Sequence, residues 1–276
     1  TLMRSSAASD VYKRQGIESY IRNYRNHYLL CGTDDSNRMS PTIGAGFFSM
    51  AYYPMEQLKM EFSFRTEYTS PNRKMNFSPR LAANYYWGNM MLSGIVGRYT
   101  QLPENNCLVR RPQLMSEVCM QYNLGVQYDY EGRFCKAELY YKDYDRLALE
   151  ETDADTKAVF LTSNGYGHSK GIDLFFRDRA SFKNLEYQLS YTYNIAKRKY
   201  REYPELTTPQ YATRHNAAWV VKYSLPRLRS IVSVTDRFSS GRPYHNPMLP
   251  GLMNDEVKPY NSLDLGVTFL ASKKVI

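Results

Sequence analysis

Cysteine and histidine are scarce in this sequence, four of each in 276 residues, and they fall in no metal-binding pattern. There is no CxxC, no HExxH and no pair of histidines four residues apart, which leaves a zinc site without support. No Walker spacing is present. The glycine-rich "GYGHSKG" at Gly165–Gly171 opens a strand rather than a helix, and its glycines mark a bend or a close neighbour. The acidic "EETDADTK" around Asp153 and Asp155 lacks the glycine and the closing glutamate of an EF-hand loop. No nucleophile-elbow motif organises Ser, His and Asp. The reading is therefore no catalytic residue, no metal, no cofactor, and a chain that is not an enzyme.

Long hydrophobic runs are missing too. No stretch approaches the roughly 18 apolar residues of a membrane-crossing helix, and the mean hydropathy of -0.58 is polar. The opening "TLMRSSAASDVYKRQ" has no initiator Met, no apolar core and no cleavage site. It follows neither a helical nor a strand period, and it resembles translated sequencing-adapter read-through. On that reading residues 1–15 are a non-native segment that makes few contacts and pairs with no strand. Residues 16–276 form the natural part.

What is abundant is tyrosine, 26 residues, and strict alternation of apolar with polar positions. From Phe77 to Trp87 alternate positions read Phe, Pro, Leu, Ala, Tyr, Trp, and the others Ser, Arg, Ala, Asn, Tyr. Leu58–Tyr68, Val118–Tyr130 and Leu185–Ile195 repeat the pattern, while Gly171–Arg177 and Leu228–Phe238 alternate less cleanly. A period of two is the strand signal, and no segment shows a 3.6 period. These strands are longer than the usual five or six residues. A tight turn at Glu131-Gly132 sets Val126 against Ala137, Leu124 against Leu139 and Tyr122 against Tyr141. A turn at Gly88-Asn89 sets Tyr85 against Leu92 and Leu81 against Val96. A slip of one residue would bring polar side chains onto the same face, so both hairpins select one register.

Connections alternate in length. Pro54–Gln57, Gly88-Asn89, Glu131-Gly132, Ala180–Asn184, Pro226-Arg227 and Ser272-Lys273 are short. Ser70–Asn76, Leu102–Glu117, Ala148–Ser163, Arg201–Gln210 and Ser240–Pro259 are long. Short turns on one side, long loops on the other and strands of about ten residues describe a transmembrane barrel. The polar mean hydropathy agrees, because only alternate residues meet lipid. The predicted fold is all-β, one antiparallel meander from Ile43 to Leu270 forming part of a barrel. It has about 11 strands, or about 12 with one in Ile17–Leu30. Ser78, Arg80, Asn84, Lys136, Glu138, Glu186, Gln188 and Ser190 are expected to face the lumen. Leu81, Tyr85, Leu124, Leu139, Leu189 and Tyr191 are expected to face lipid. Tyrosine, apolar in body and polar at its tip, suits the boundary of such a layer.

The ordered motifs carry a resemblance. "FSPRLAANYYWGNMMLSGIVGRYTQLPENN", with Ser78-Pro79-Arg80 at a strand start and Gly97-Arg98-Tyr99, Gln101 and Pro103 at a strand end, resembles the barrel of Bacteroidetes TonB-dependent receptors. "AELYYKDYDRL", "NGYGHSKGIDLFFRDR", "LEYQLSYTYNIAKRKYREYP", "SSGRPYHNP" and "PYNSLDLGVTFL" resemble that family's following strands and late hairpins in order. The resemblance spans nearly all of Ile43 to Ile276. It implies the barrel portion of an active transporter in the outer membrane of a Gram-negative bacterium, importing a scarce nutrient with energy from the TonB complex. In the family a larger barrel of about 22 strands is closed by an N-terminal plug. The plug, its TonB-contacting box and the closing strands have no counterpart here, and the partial sheet is not expected to transport alone. The alternative is another outer-membrane barrel, a porin-like channel or a barrel enzyme such as a lipase or protease.

The remaining expectations concern partners and loops. The formal charge of +9 is interleaved with acids, as in "KRKYRE" at Lys197–Glu202, so nucleic acid is not expected. Partners on this reading are outer-membrane lipid and lipopolysaccharide, TonB through the plug, an unidentified small nutrient and a surface lipoprotein. Siderophore, cobalamin, glycan and peptide all stay open as cargo. Arg110 and Arg111 in one long loop, with Tyr244 and His245 in another, are the candidate ligand contacts. Cys119 and Cys135 fall on opposite faces and cannot bridge; a Cys31–Cys107 bridge stays open.

Overall fold

The computed structural model describes residues 11–30 and 33–269. In chain order the strands are β1 (Val11–Ile21), β2 (Tyr24–Leu30), β3 (Thr33–Met39), β4 (Thr42–Met55), β5 (Leu58–Thr69), β6 (Lys74–Trp87), β7 (Met90–Gln101), β8 (Glu117–Tyr130) and β9 (Arg133–Thr152). They continue as β10 (Val159–Asp178), β11 (Leu185–Tyr200), β12 (Tyr203–Thr207), β13 (His215–Leu225), β14 (Ser230–Ser239), β15 (Pro243–Tyr244), β16 (Asp255–Glu256) and β17 (Tyr260–Phe269). One antiparallel sheet runs β1-β4-β5-β6-β7-β8-β9-β10-β11-β13-β14-β17, with β12 paired to β11 beside this path. The meander expected from Ile43 is present through Phe269; Leu270 and the turn at Ser272-Lys273 lie outside the described residues.

Both hairpin registers are as the apolar pattern requires. Leu124 faces Leu139, Val126 faces Ala137 and Tyr122 faces Tyr141. Tyr85 faces Leu92 and Leu81 faces Val96. The turn residues Glu131, Gly132 and Gly88 all have positive φ, the backbone that two-residue hairpins demand. The two less regular stretches, Gly171–Arg177 and Leu228–Phe238, also form strand, within β10 and β14, although β14 begins only at Ser230, after a 3₁₀ turn at Pro226–Leu228.

Four expectations are corrected. Val11–Gln15 does pair, with Tyr52–Phe48 of β4. The exposed backbone of a sheet edge accepts any extended segment, and these five side chains stay exposed. The segment expected to hold one extra strand, Ile17–Leu30, spans parts of two, β1 and β2, and β2 pairs with β3 outside the main sheet. Two of the long connections are shorter than expected, while the one expected at Arg201–Gln210 extends over 201–214 and holds β12. β9 and β10 reach 20 residues each and leave only 153–158 between them, and β6 starts at Lys74, which leaves 70–73. Leu102–Glu117 contains a helix, α1 (Asn105–Arg110), whose six residues are too few to display a helical period. Among the described residues Cys107, Cys119 and Cys135 are free thiols. Cys119 stands opposite Tyr144 and Cys135 opposite Tyr128, so they occupy opposite faces; Cys31 is outside the described residues.

Register propagates one face across the whole sheet. Asn84 pairs with Ser93, Ser93 with Gly125, Gly125 with Glu138, Glu138 with Asp173 and Asp173 with Thr192. On the opposite face Leu81, Val96, Tyr122, Tyr141 and Lys170 form one such row, and Leu139, Ile172 and Tyr193 lie in the next. The eight residues expected to be wet share the first face, and the six expected to be greasy share the second. Apolar side chains there are uncovered: Leu124 is 65% exposed, Leu139 55% and Val267 74%. A contiguous apolar surface of this extent is stable only against an apolar medium or another layer.

Buried clusters gather at the long-connection end. Cys107, Leu108, Leu114, Ala148 and Leu161 form one, with Leu102 and Met39 against it. Leu147, Tyr200 and Tyr203 form another, with Leu252 and Met253 packed on it. The connections therefore make a packed cap on the sheet rim.

Candidate functional site

The polar face carries continuous side-chain hydrogen bonding. Gln121 donates to Asn123 at 2.8 Å, Asn123 donates to Glu138, and Lys136 pairs with the other oxygen of Glu138 at 2.7 Å. Thr192 donates to Asp173 at 2.6 Å. Ser169 and Tyr140 both donate to the amide oxygen of Asn194, at 2.8 and 3.0 Å. All of these groups but Lys136 line a hollow of about 390 Å³. Farther along, Arg65 bridges Glu18 and Glu67 at 2.9 and 3.2 Å, and the Arg80 guanidinium lies 4.2 Å from the centroid of the Tyr99 ring. Charge and hydrogen-bonding capacity are thus concentrated on the face opposite the apolar one.

Glycine lets β9 and β11 approach each other over β10. Gly171 stands between Tyr140 and Asn194, and Gly167 between Tyr144 and Arg198. A Cβ on Gly171 would lie 2.1 Å from the Tyr193 carbonyl oxygen and 2.5 Å from the Tyr140 hydroxyl. The missing side chains allow Tyr140 to reach Asn194 and Arg198 to cover Tyr144. The sequence marked these glycines as places of close approach. It held no signal for which residues meet over them.

The rim residues singled out from sequence are differently engaged. Arg110, in the last turn of α1, pairs with Glu150, and Arg111 donates to the carbonyl of Leu161. Both arginines therefore tie α1 to the β9 and β10 extensions. Tyr244 donates to Asp255 in the small β15–β16 hairpin, and Asn246 donates to the same carboxylate at 2.9 Å. The Tyr244 hydroxyl and then the Asn246 amide hold the Asp255 carboxyl below the usual carboxylate range. His245 is exposed. Among the described residues no hydrogen bond or ion pair joins the Arg110–Arg111 pair to Tyr244 or His245, so the four do not form one site. Burial raises the Cys107 thiol, which keeps it protonated and inert in its apolar cluster. No group of three or more His, Cys, Asp or Glu able to hold a metal occurs among the described residues.

Residues 6–274 match the family model for the TonB-dependent receptor-like β-barrel. The chain belongs to that family. Solved structures agree on the fold of this receptor barrel. A mutant ferric enterobactin receptor from Pseudomonas aeruginosa superposes with a TM-score of 0.76 at 13% identity, covering 98% of this chain and 45% of that one. The FrpB iron transporter from Neisseria meningitidis gives 0.75 at 8% identity, covering 96% and 46%. The copper transporter OprC gives 0.72 at 11% identity, covering 96% and 47%. The chain therefore spans about half the length of the solved receptors it matches. A search of curated proteins finds no match. The antiparallel meander is thus part of a transmembrane β-barrel, which accounts for the uncovered apolar face.

Proposed function

We propose that this chain is wall of an outer-membrane receptor that imports a scarce nutrient using energy delivered through TonB. The observation that carries the reading is the separation of faces in a sheet of this family: a hydrogen-bonded polar face backed by an exposed apolar one. On this reading Ser78, Arg80, Asn84, Lys136, Glu138, Glu186, Gln188 and Ser190 line the lumen, and the apolar face meets outer-membrane lipid and lipopolysaccharide. The connections at 88–89 and 131–132 are periplasmic. Those at 102–116, 201–214 and 240–259 are extracellular, in keeping with short turns on one side and longer loops on the other, and 153–158 lies on that same side.

Cargo contact is assigned to the extracellular rim. His245 is the most available of the four candidates, because Arg110, Arg111 and Tyr244 are already bonded within the rim. Three similar structures are named for enterobactin, iron and copper, so the shared fold does not select a cargo. A surface lipoprotein as partner and a Bacteroidetes origin rest on the motif series alone. The test is made in the complete receptor. An impermeant thiol reagent on intact cells should label Thr156→Cys and leave Asn89→Cys unlabelled until the cells are opened. Uptake by cells fed siderophore, cobalamin or glycan in turn should stop when TonB is deleted. Labelling of Asn89→Cys on intact cells, or uptake indifferent to TonB, refutes the reading.

A further inference from the structure

On the apolar face the chemistry changes abruptly at one height. Along β10 the outward residues run Phe176, Leu174, Ile172 and then Lys170, His168, Tyr166. Along β11 they run Leu189, Tyr191, Tyr193, Ile195 and then Lys197, Lys199. Along β9 they run Cys135, Ala137, Leu139, Tyr141 and then Asp143, Asp145. The apolar band on β9 is bounded by Arg133 at the turn end and Asp143 at the loop end. Roughly ten residues at about 3.3 Å each give about 33 Å along the strand, or about 25 Å at a tilt near 40°, the height of an outer-membrane apolar band. The row Arg98, Met120, Asp143, His168, Lys197 therefore lies at the loop-side boundary of that band.

Three lysines converge there. Lys197 is the direct neighbour of His168, and Lys199 of Tyr166, while Lys170 is two residues along from His168 on the same face. Diagonal neighbours of this kind lie about 7–8 Å apart at the backbone, well within the reach of four-carbon arms. Like charges so placed repel, and no acid lies within ion-pair distance of any of them among the described residues. Nearby arginines are treated otherwise: Arg110 pairs with Glu150, Arg201 with Glu104, and Arg146 with Asp145 at 3.5 Å. Arg98, in the boundary row, donates to the carbonyl of Phe77. Asp143 borders the cluster from β9, opposite His168. Asp145, opposite Tyr166, borders it as well but pairs with Arg146. Three ammonium groups against the two carboxylates, one of them already engaged, leave an anion-seeking surface directly above part-exposed aromatic and aliphatic side chains.

Resting on the orientation given under the proposed function, we propose that Lys170, Lys197 and Lys199 bind the phosphate groups of an outer-leaflet lipopolysaccharide molecule. Its acyl chains lie on the apolar band formed by Ile172, Leu174, Tyr191 and Tyr193. The cluster sits at headgroup height on the loop side, and its charge and apolar floor match a phosphorylated glycolipid. The charge alone would also attract a soluble anion, but such an anion would gain nothing from the floor.

The test uses the complete receptor purified in mild detergent. Binding of purified lipopolysaccharide, enzymatically dephosphorylated lipopolysaccharide and phosphatidylglycerol is measured for wild type, for Lys170→Gln/Lys197→Gln/Lys199→Gln, and for the control Lys157→Gln/Lys183→Gln/Lys258→Gln. Each surface lysine is expected to contribute about fivefold, so the cluster variant should bind lipopolysaccharide about a hundredfold more weakly. The control should match wild type, and dephosphorylated lipopolysaccharide should bind wild type weakly. Equal binding by cluster variant and wild type overturns the proposal, as does equal loss in the control or a preference for phosphatidylglycerol. Heat-modifiability on a gel is read in parallel. A wild-type receptor that shows no folded barrel refutes the barrel reading itself, separately from the lysine site. If the triple variant fails to fold, Lys197→Gln alone, at an exposed position, should still weaken binding about fivefold, and the triple Lys→Arg should retain it; failure of either overturns the site.

Discussion

The guanidinium of Arg198 on β11 lies 4.2 Å from the centroid of the Tyr144 ring on β9, with β10 between them. Gly167 is the β10 residue paired with both. A Cβ at Gly167 would sit 2.4 Å from the Lys197 carbonyl oxygen and 2.9 Å from the Cα of Arg198. Backbone cannot swing aside as a flexible side chain does. Gly167→Val should therefore lower barrel stability by about 1–3 kcal/mol, the usual cost of overpacking. Gly44→Val, where a Cβ meets nothing within 4 Å, should not. The temperature at which the folded band on a gel converts to the unfolded one reads both.

The faces are tested by charge. Leu139 is 55% exposed among apolar neighbours on β9, well inside the strand. An arginine at mid-depth in lipid costs about 2–4 kcal/mol, falling toward zero near the interfaces. Leu139→Arg should impair assembly of the complete receptor, whereas Gln188→Arg should assemble and alter transport only. The reverse result would invert the assignment of faces.

The rim cap makes a separable prediction. Leu108 is fully buried, packed among Cys107, Leu114, Ala148 and Leu161. Leu108→Ala should cost about 2–5 kcal/mol locally. The barrel band should stay heat-modifiable while 102–116 becomes sensitive to added protease. Cys107 should become reactive to thiol reagents in the same variant and stay inert in wild type. Loss of the folded band would mean that cap and sheet fold as one unit.

The β15–β16 hairpin should loosen in acid. The folded Asp255 carboxyl is held below its usual value by the Tyr244 hydroxyl, the Asn246 amide and the Glu256 backbone N–H. A depressed carboxylate stabilises the fold above the unfolded value of about 4, and that contribution is lost as pH falls through the folded value. Amide exchange across 243–256, corrected for intrinsic rates, should stay slow at neutral pH and accelerate below about pH 4. Asp255→Asn should flatten the dependence. An unchanged pH profile in that variant would assign the acid sensitivity to another group.

Strands, register and the two faces were legible in the sequence, because a side-chain period of two is a local property. Leu124 opposite Leu139 follows from the apolar pattern and a two-residue turn, and each further hairpin extends the same logic by one strand. The glycines of β10 were legible as close approaches for the same reason. Tertiary structure alone decided what depends on curvature and on which segments meet at the rim. It placed Tyr140 against Asn194 across a whole strand, spent Arg111 on the Leu161 carbonyl and Arg110 on Glu150, and wound Asn105–Arg110 into a helix too short to show its period. It also gave Val11–Gln15 a partner in β4, where an open edge supplies backbone hydrogen bonds irrespective of side-chain pattern. Contacts between distant segments carry no periodic trace in the chain, since they are set by the path of the backbone rather than by the spacing of side chains along it.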